Sequence, residues 1–298
     1  MDFFNTIDDF RTYIKIPASV QVVALRPAFR PAKRKVQYIL GKATYKQLLN
    51  HFTTPPDTPD PVLNEAVEYI QAALASLTHI DWFKLEAGER NATENKLFKY
   101  QEDQQMGISL SNFWTEMDNL IELLESDGTK FADFVSTDIY KTREKLILKN
   151  ANEFEKQFGI DNSAYFFMRS TYLQKEVIAD VLEKKGVVVA DIEGESDKYI
   201  YAVKKATAYE TMAQACRRFE YAELPASVRN DLSDEMRRRV YKSSQSAFIK
   251  DVLFQELHNK AMQYMGDVED YILKKKSGTY TELEDVNDET NQFFYTTW

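Results

Sequence analysis

An all-α, mainly helical fold is what this sequence predicts, and three observations lead to it. The eight prolines are Pro17, Pro27, Pro31, Pro55, Pro56, Pro59, Pro61 and Pro225. They leave the span from Val62 to Leu224, and everything after Pro225, free of a residue that removes a helix hydrogen bond and clashes with the preceding turn. Apolar residues recur at three-and-four spacing through those windows. Strand signals reduce to Val187-Val188-Val189, which could pair with Tyr199 to Val203 in at most a short hairpin, marginal by itself.

In chain order, the segment from Thr53 to Pro61 (TTPPDTPDP) is a loop, because clustered prolines and aspartates cannot continue a helix. After it, Ala66, Tyr69, Ile70, Ala73, Leu77 and Ile80 form one stripe of a helix that begins near Asn64. Leu110, Phe113, Trp114, Met117, Leu120, Ile121 and Leu124 form a second, which stops near Asp127-Gly128. Phe167, Met168, Val177, Ile178, Val181 and Leu182 give a third, ended by Gly186. The last runs through Phe248, Val252, Leu257, Ala261, Tyr264, Val268, Tyr271 and Ile272. Lys274 to Lys276 lie at its C-terminal end, where cations meet the helix dipole favourably.

Internal similarity organises these helices into two tandem, diverged helical-bundle units. Asp9-Phe10, Ile16 and Ser19 have counterparts in Glu153-Phe154, Ile160 and Ser163, all displaced by 144. Arg26 and Phe29 correspond to Arg169 and Tyr172 at 143. Ala66-Val67 and Phe83 match Ala202-Val203 and Phe219 at 136, and Ser111-Asn112-Phe113 matches Ser246-Ala247-Phe248 at 135. The expected units are residues 1–150 and 151–281, followed by an acidic and then aromatic segment over 282–298. A chain of 298 residues with 44% hydrophobic composition suffices for two cores.

Composition excludes several classes of function. With 47 acidic against 38 basic residues the net charge is -9, so strong nucleic-acid binding is not expected. The uncharged stretch from Tyr69 to Ile80 falls well short of the ~20 apolar residues that cross a bilayer, and no membrane partner is expected. Asp2, Asp8 and Asp9 crowd the start of the chain, where a signal peptide needs a basic region, so the expected location is the cytoplasm. Cys216 alone forms no internal disulfide and is read as a small buried hydrophobe.

Motifs for chemistry are missing. The nine glycines form neither a phosphate-binding loop nor a dinucleotide fingerprint, there is no GxSxG elbow, and His51, His79 and His258 stand in unrelated contexts. His79, in an apolar stretch, reads as a packed histidine. The turn around Gly194 (DIEGESD) lacks the glycine and glutamate spacing of a calcium loop and reads as a solvated acidic turn. No catalytic, cofactor-binding or metal-binding residue is therefore predicted, although a pair of acids inside a bundle needs no local motif.

Two groups of residues are candidates for contact with a partner. Arg26, Arg30 and Lys33 could share one helix face and hold phosphates or an acidic partner, though a solvated face would look the same. Arg237-Arg238-Arg239 point in three directions around a helix and cannot form one patch. Phe293, Phe294, Tyr295 and Trp298 follow the acidic stretch from Glu282 to Glu289, and a segment this apolar is docked either on its own chain or on a neighbour.

The segment from Ala24 to Leu49 (ALRPAFRPAKRKVQYILGKATYKQLL) resembles the opening of an uncharacterised protein family from Bacteroidetes that recurs among phage and prophage genes. The likeness continues through Glu94 to Asp103 (ENKLFKYQED), Leu120 to Glu125 (LIELLE), Phe131 to Val135 (FADFV) and Ala151 to Ser170. More loosely, the pattern is similar to the small helical head–tail connector proteins of phages. The resemblance carries over no catalytic residue. It implies a non-enzymatic structural or adaptor protein of a phage or prophage that binds other phage structural proteins or its own copies, and with that a place in an assembled virion as the alternative to the cytoplasm. The alternative left by the residues is a bacterial helical binding module with a ligand or peptide groove between its two halves.

Overall fold

The computed structural model describes residues 1–90, 99–230 and 245–278. Among them there is no strand. The helices are α1 (Ile7–Tyr13), α2 (Val22–Leu40), α3 (Lys42–Thr53), α4 (Pro61–Arg90), α5 (Lys99–Ser126), α6 (Ala132–Val135), α7 (Asp138–Arg143), α8 (Ala151–Glu155), α9 (Ala164–Val177), α10 (Asp197–Arg218) and α11 (Gln245–Lys276). The protein is all-α.

Local chemistry explains where these helices start and stop. At α1 the Thr6 hydroxyl accepts from the Asp9 N–H at 3.1 Å, while Asp9 Oδ2 accepts from the Thr6 N–H at 2.9 Å and the Asn5 N–H at 2.8 Å. At α8 the Asn150 side chain accepts from the Glu153 N–H at 2.8 Å, and Glu153 Oε2 accepts from the Lys149 N–H at 3.0 Å. The same device thus recurs 144 positions later. Gly41 breaks α2 from α3 with a φ of 79°, and a Cβ there would lie 2.7 Å from Thr137 Cγ2. Only glycine fits both demands.

Two features depart from the proline and strand arguments. Helix α2 runs straight through Pro27 and Pro31, which leaves the carbonyls of Val23 and Pro27 without their usual intrahelical donors. Val23, Pro27 and Pro31 are all exposed, so water serves those carbonyls and the helix survives. The hairpin does not form. The φ of 91° at Gly186 ends the π- and 3₁₀-helical extension of α9, Val189–Gly194 winds into a 3₁₀ turn, and Ser196 caps α10 by accepting from the Tyr199 N–H at 3.4 Å. Tyr199 to Val203 are thereby committed to the first turns of α10.

Packing is dominated by two helix pairs, α4 with α5 and α10 with α11, flanked by α2 on one side and α9 on the other. The α10–α11 pair is antiparallel, since Glu210 meets His258 while Tyr199 meets Tyr271. One continuous core runs from Phe3 to Val268. Tyr165 of α9 stands edge-on to both Phe113 and Trp114 of α5 at 5.1 Å, and the Trp114 indole donates to the Ala222 carbonyl at 3.1 Å, so the two halves share their interior.

Phe113, Met117, Ile121 and Leu124 form the buried stripe of α5, and Leu257, Ala261, Met265 and Val268, each 144 positions later, are buried on α11. The displacement of 135 read from Ser111 and Ser246 is nine residues short of this. Nine residues are about two and a half turns, so that register would turn the stripe away from the core.

Candidate functional site

The outer face of α2 carries the strongest uncompensated charge among the predicted contact residues. Arg26 and Arg30 are exposed there, as is Arg34 one turn further on, with Val23 at 67% and Tyr38 at 45% exposure along the same side. Among the described residues no carboxylate lies within 4 Å of these three guanidinium groups, whereas Lys35 on the inner edge reaches Glu220 at 3.7 Å. The Tyr38 ring lies 5.1 Å from the Arg169 guanidinium, which ties the end of this face to the second half.

Lys33 does not join that face. Its ammonium turns inward to Asp2 Oδ2 at 2.5 Å and lies over the Tyr45 ring, whose hydroxyl donates to the same carboxylate oxygen at 3.2 Å. Burial and the Asp2 charge push the Tyr45 phenol far above its ordinary range. Lys33 is therefore a structural cation that pins the first residues of the chain. Phe293, Phe294, Tyr295 and Trp298, with Arg237 to Arg239, lie outside the described residues.

A second feature was not foreseen from the sequence. A cleft of about 430 Å³ opens between the α7–α8 loop, the Val189–Gly194 turn and the start of α10. Its floor is aliphatic, with Ile147 and Ile192 buried and Ile200 half-buried. Gln174, wholly buried on α9, fixes the loop wall. Its side-chain oxygen accepts from the Leu148 N–H at 2.9 Å, and its amide donates to the Leu148 carbonyl at 3.2 Å. Lys149 and Glu193 span the two walls with an ion pair of 3.1 Å. Lys145 and the half-buried Lys204 also line the cleft, and no carboxylate lies within 4 Å of either ammonium among the described residues. These residues lie up to 60 positions apart, in loops without periodicity, and no motif announces them.

The remaining chemistry-bearing groups are absorbed by structure. His79 is buried, with its Nδ1 2.9 Å from Ser109 Oγ and its ring against Trp82 and Phe83. Cys216 is buried in α10. In the acidic turn, Glu195 accepts from Lys275 at 2.5 Å and from the Tyr271 hydroxyl at 2.9 Å. The lysine bond is the main reason its carboxyl sits below its usual range. Among the described residues, no group of three His, Cys, Asp or Glu side chains is placed to hold a metal ion.

Two acids on helix faces, Glu210 buried and Asp118 half-buried, also went unnoticed in the sequence. Glu210, at 2% exposure, accepts from Gln214 at 2.8 Å and faces His258 Nδ1 at 2.7 Å. Asp118 lies between α5 and the start of α9, and burial raises its pKa to about 6. No family model, no curated protein and no solved structure matches the chain. No described helix is long and apolar enough to cross a membrane.

Proposed function

We propose that this protein works by contact, as a non-enzymatic structural or adaptor protein of a phage or prophage, and that the outer face of α2 is its docking surface. The observation that carries this reading is the row of Arg26, Arg30 and Arg34, three guanidinium groups without a carboxylate partner among the described residues, on the side of the helix that also exposes Val23 and Tyr38. Arginine forks with apolar and aromatic neighbours suit a protein interface, and the uncompensated charge calls for an acidic surface opposite. A second copy of the chain, with its net charge of -9, offers one.

The arrangement of the halves supports a construction by duplication. A short helix with a side-chain cap precedes α2 in the first half and α9 in the second, and a long helix pair follows each, α4–α5 and α10–α11. The contact registers agree. In the antiparallel α10–α11 pair the meeting of Glu210 with His258 sets position 215 opposite about 253, and these lie 136 and 144 beyond the contacting His79 and Ser109. Two related units in one chain present paired surfaces to an assembly, which suits a symmetric partner.

Size-exclusion chromatography with light scattering on the full chain tests the reading. Self-association at micromolar concentration, abolished by R26E/R30E/R34E without loss of helicity, is the expected result. A monomer at every concentration, together with coding neighbours unrelated to portal, capsid or tail, would overturn it.

A further inference from the structure

We infer that the cleft between the α7–α8 loop and the Val189–Gly194 turn binds an aliphatic carboxylate, a site independent of the contact surface on α2. Its volume of about 430 Å³ lies within the roughly 300–1,000 Å³ typical of small-molecule sites. The floor of Ile147, Ile192 and Ile200 offers no polar group to a ligand body and favours saturated hydrocarbon. The charged rim decides the head group. Glu193 is engaged by Lys149, and Glu153 accepts from the Lys149 N–H, whereas Lys145 and Lys204 have no carboxylate within reach.

The lining holds three lysines and three glutamates, so its formal charge is zero and the head group is set locally, at the two lysines with no carboxylate within 4 Å among the described residues. Lys204 is the more telling of the two, because it is half-buried on α10 and its ammonium finds no hydrogen-bond acceptor among the described residues. A half-buried cation without a partner favours a ligand that brings one. A ligand carboxylate at Lys204 with its chain along the three isoleucines satisfies both parts of the cleft. The Lys149–Glu193 pair bridges the walls over it and breaks cheaply, because both side chains are substantially exposed.

Isothermal titration of the full chain with hexanoate, octanoate, octan-1-ol and inorganic phosphate tests the assignment. Octanoate is expected to bind about tenfold more tightly than hexanoate, from two further buried methylenes. Lys204→Met keeps the apolar stem and removes the charge, and is expected to weaken octanoate binding about tenfold or more. Lys198→Met, on the exposed side of α10, is expected to leave it unchanged. Absence of octanoate binding would overturn the inference. So would equal binding of octan-1-ol, equal binding of phosphate, or insensitivity to Lys204→Met. Because none of these variants touches α2, failure here is separable from failure of the contact reading.

Discussion

Asp118 of α5 caps α9 from across the fold, its Oδ1 accepting from the Ser163 hydroxyl at 2.8 Å and from the Tyr165 N–H at 2.7 Å. A side chain of the first half thereby satisfies the opening turn of a helix in the second. Burial is the chief reason the carboxyl is raised from 3.8 to about 6, outweighing the hydrogen bonds from Tyr165, Ser163 and Ala164 that favour its ionised form. In the window between those values the folded state holds a proton that the unfolded state has released, so this group's contribution to stability falls as pH rises. Asp118→Asn removes the titration and keeps an acceptor for the Ser163 and Tyr165 donors. The stability of the wild type relative to this variant is expected to drop by about 2 kcal/mol between pH 4 and pH 7, measured by urea unfolding at both.

Glu210 and His258 hold α10 to α11 through a buried carboxylate. Removing one partner strands the other, so His258→Leu is expected to cost about 2–4 kcal/mol in denaturant unfolding. Leu74 occupies the position 136 residues earlier and is fully buried. The double variant E210L/H258L is accordingly expected to recover most of the loss, because two leucines pack where a charge was left unpaired.

Gly41→Ala combines a disfavoured backbone angle with a clash at Thr137 Cγ2. The expected cost is about 2 kcal/mol or more in thermal unfolding. Thr137→Ser deletes the offending methyl but keeps the hydroxyl that accepts from the Tyr140 N–H at 3.3 Å. G41A/T137S is expected to regain the steric share and to retain only about 1 kcal/mol of backbone strain.

Gln174→Leu strands a donor and an acceptor on the Leu148 backbone in the interior. A loss of about 2–4 kcal/mol is expected in urea unfolding. Hydrogen exchange at the Leu148 amide is expected to accelerate before global unfolding, since the loop wall loses the side-chain clamp on that residue.

Much of the helical architecture was legible because the stripes are long and the core enforces them. Phe113, Trp114, Met117, Leu120, Ile121 and Leu124 are all buried on one side of α5, as their spacing predicts. Helix α2 was harder to read. Its two prolines argue against a helix interior until their exposure is known, and exposure depends on what packs beneath. The same blindness affected Lys33, whose spacing matched Arg26 and Arg30 while its partner, Asp2, lay 31 positions away. The cleft could not be read at all. Its walls are short loops brought together by Gln174 and by the Lys149–Glu193 pair, interactions with no periodicity to betray them.

The shared interior has a further consequence. Tyr165 slots between Phe113 and Trp114, and the Trp114 indole is tethered to Ala222, so neither half could be excised at residue 150 without baring aromatic surface to water. If the ancestor was a lone unit that paired with its twin, fusion has made that partnership permanent and freed the outward faces to diverge. Inheritance now acts on the pair as one indivisible body.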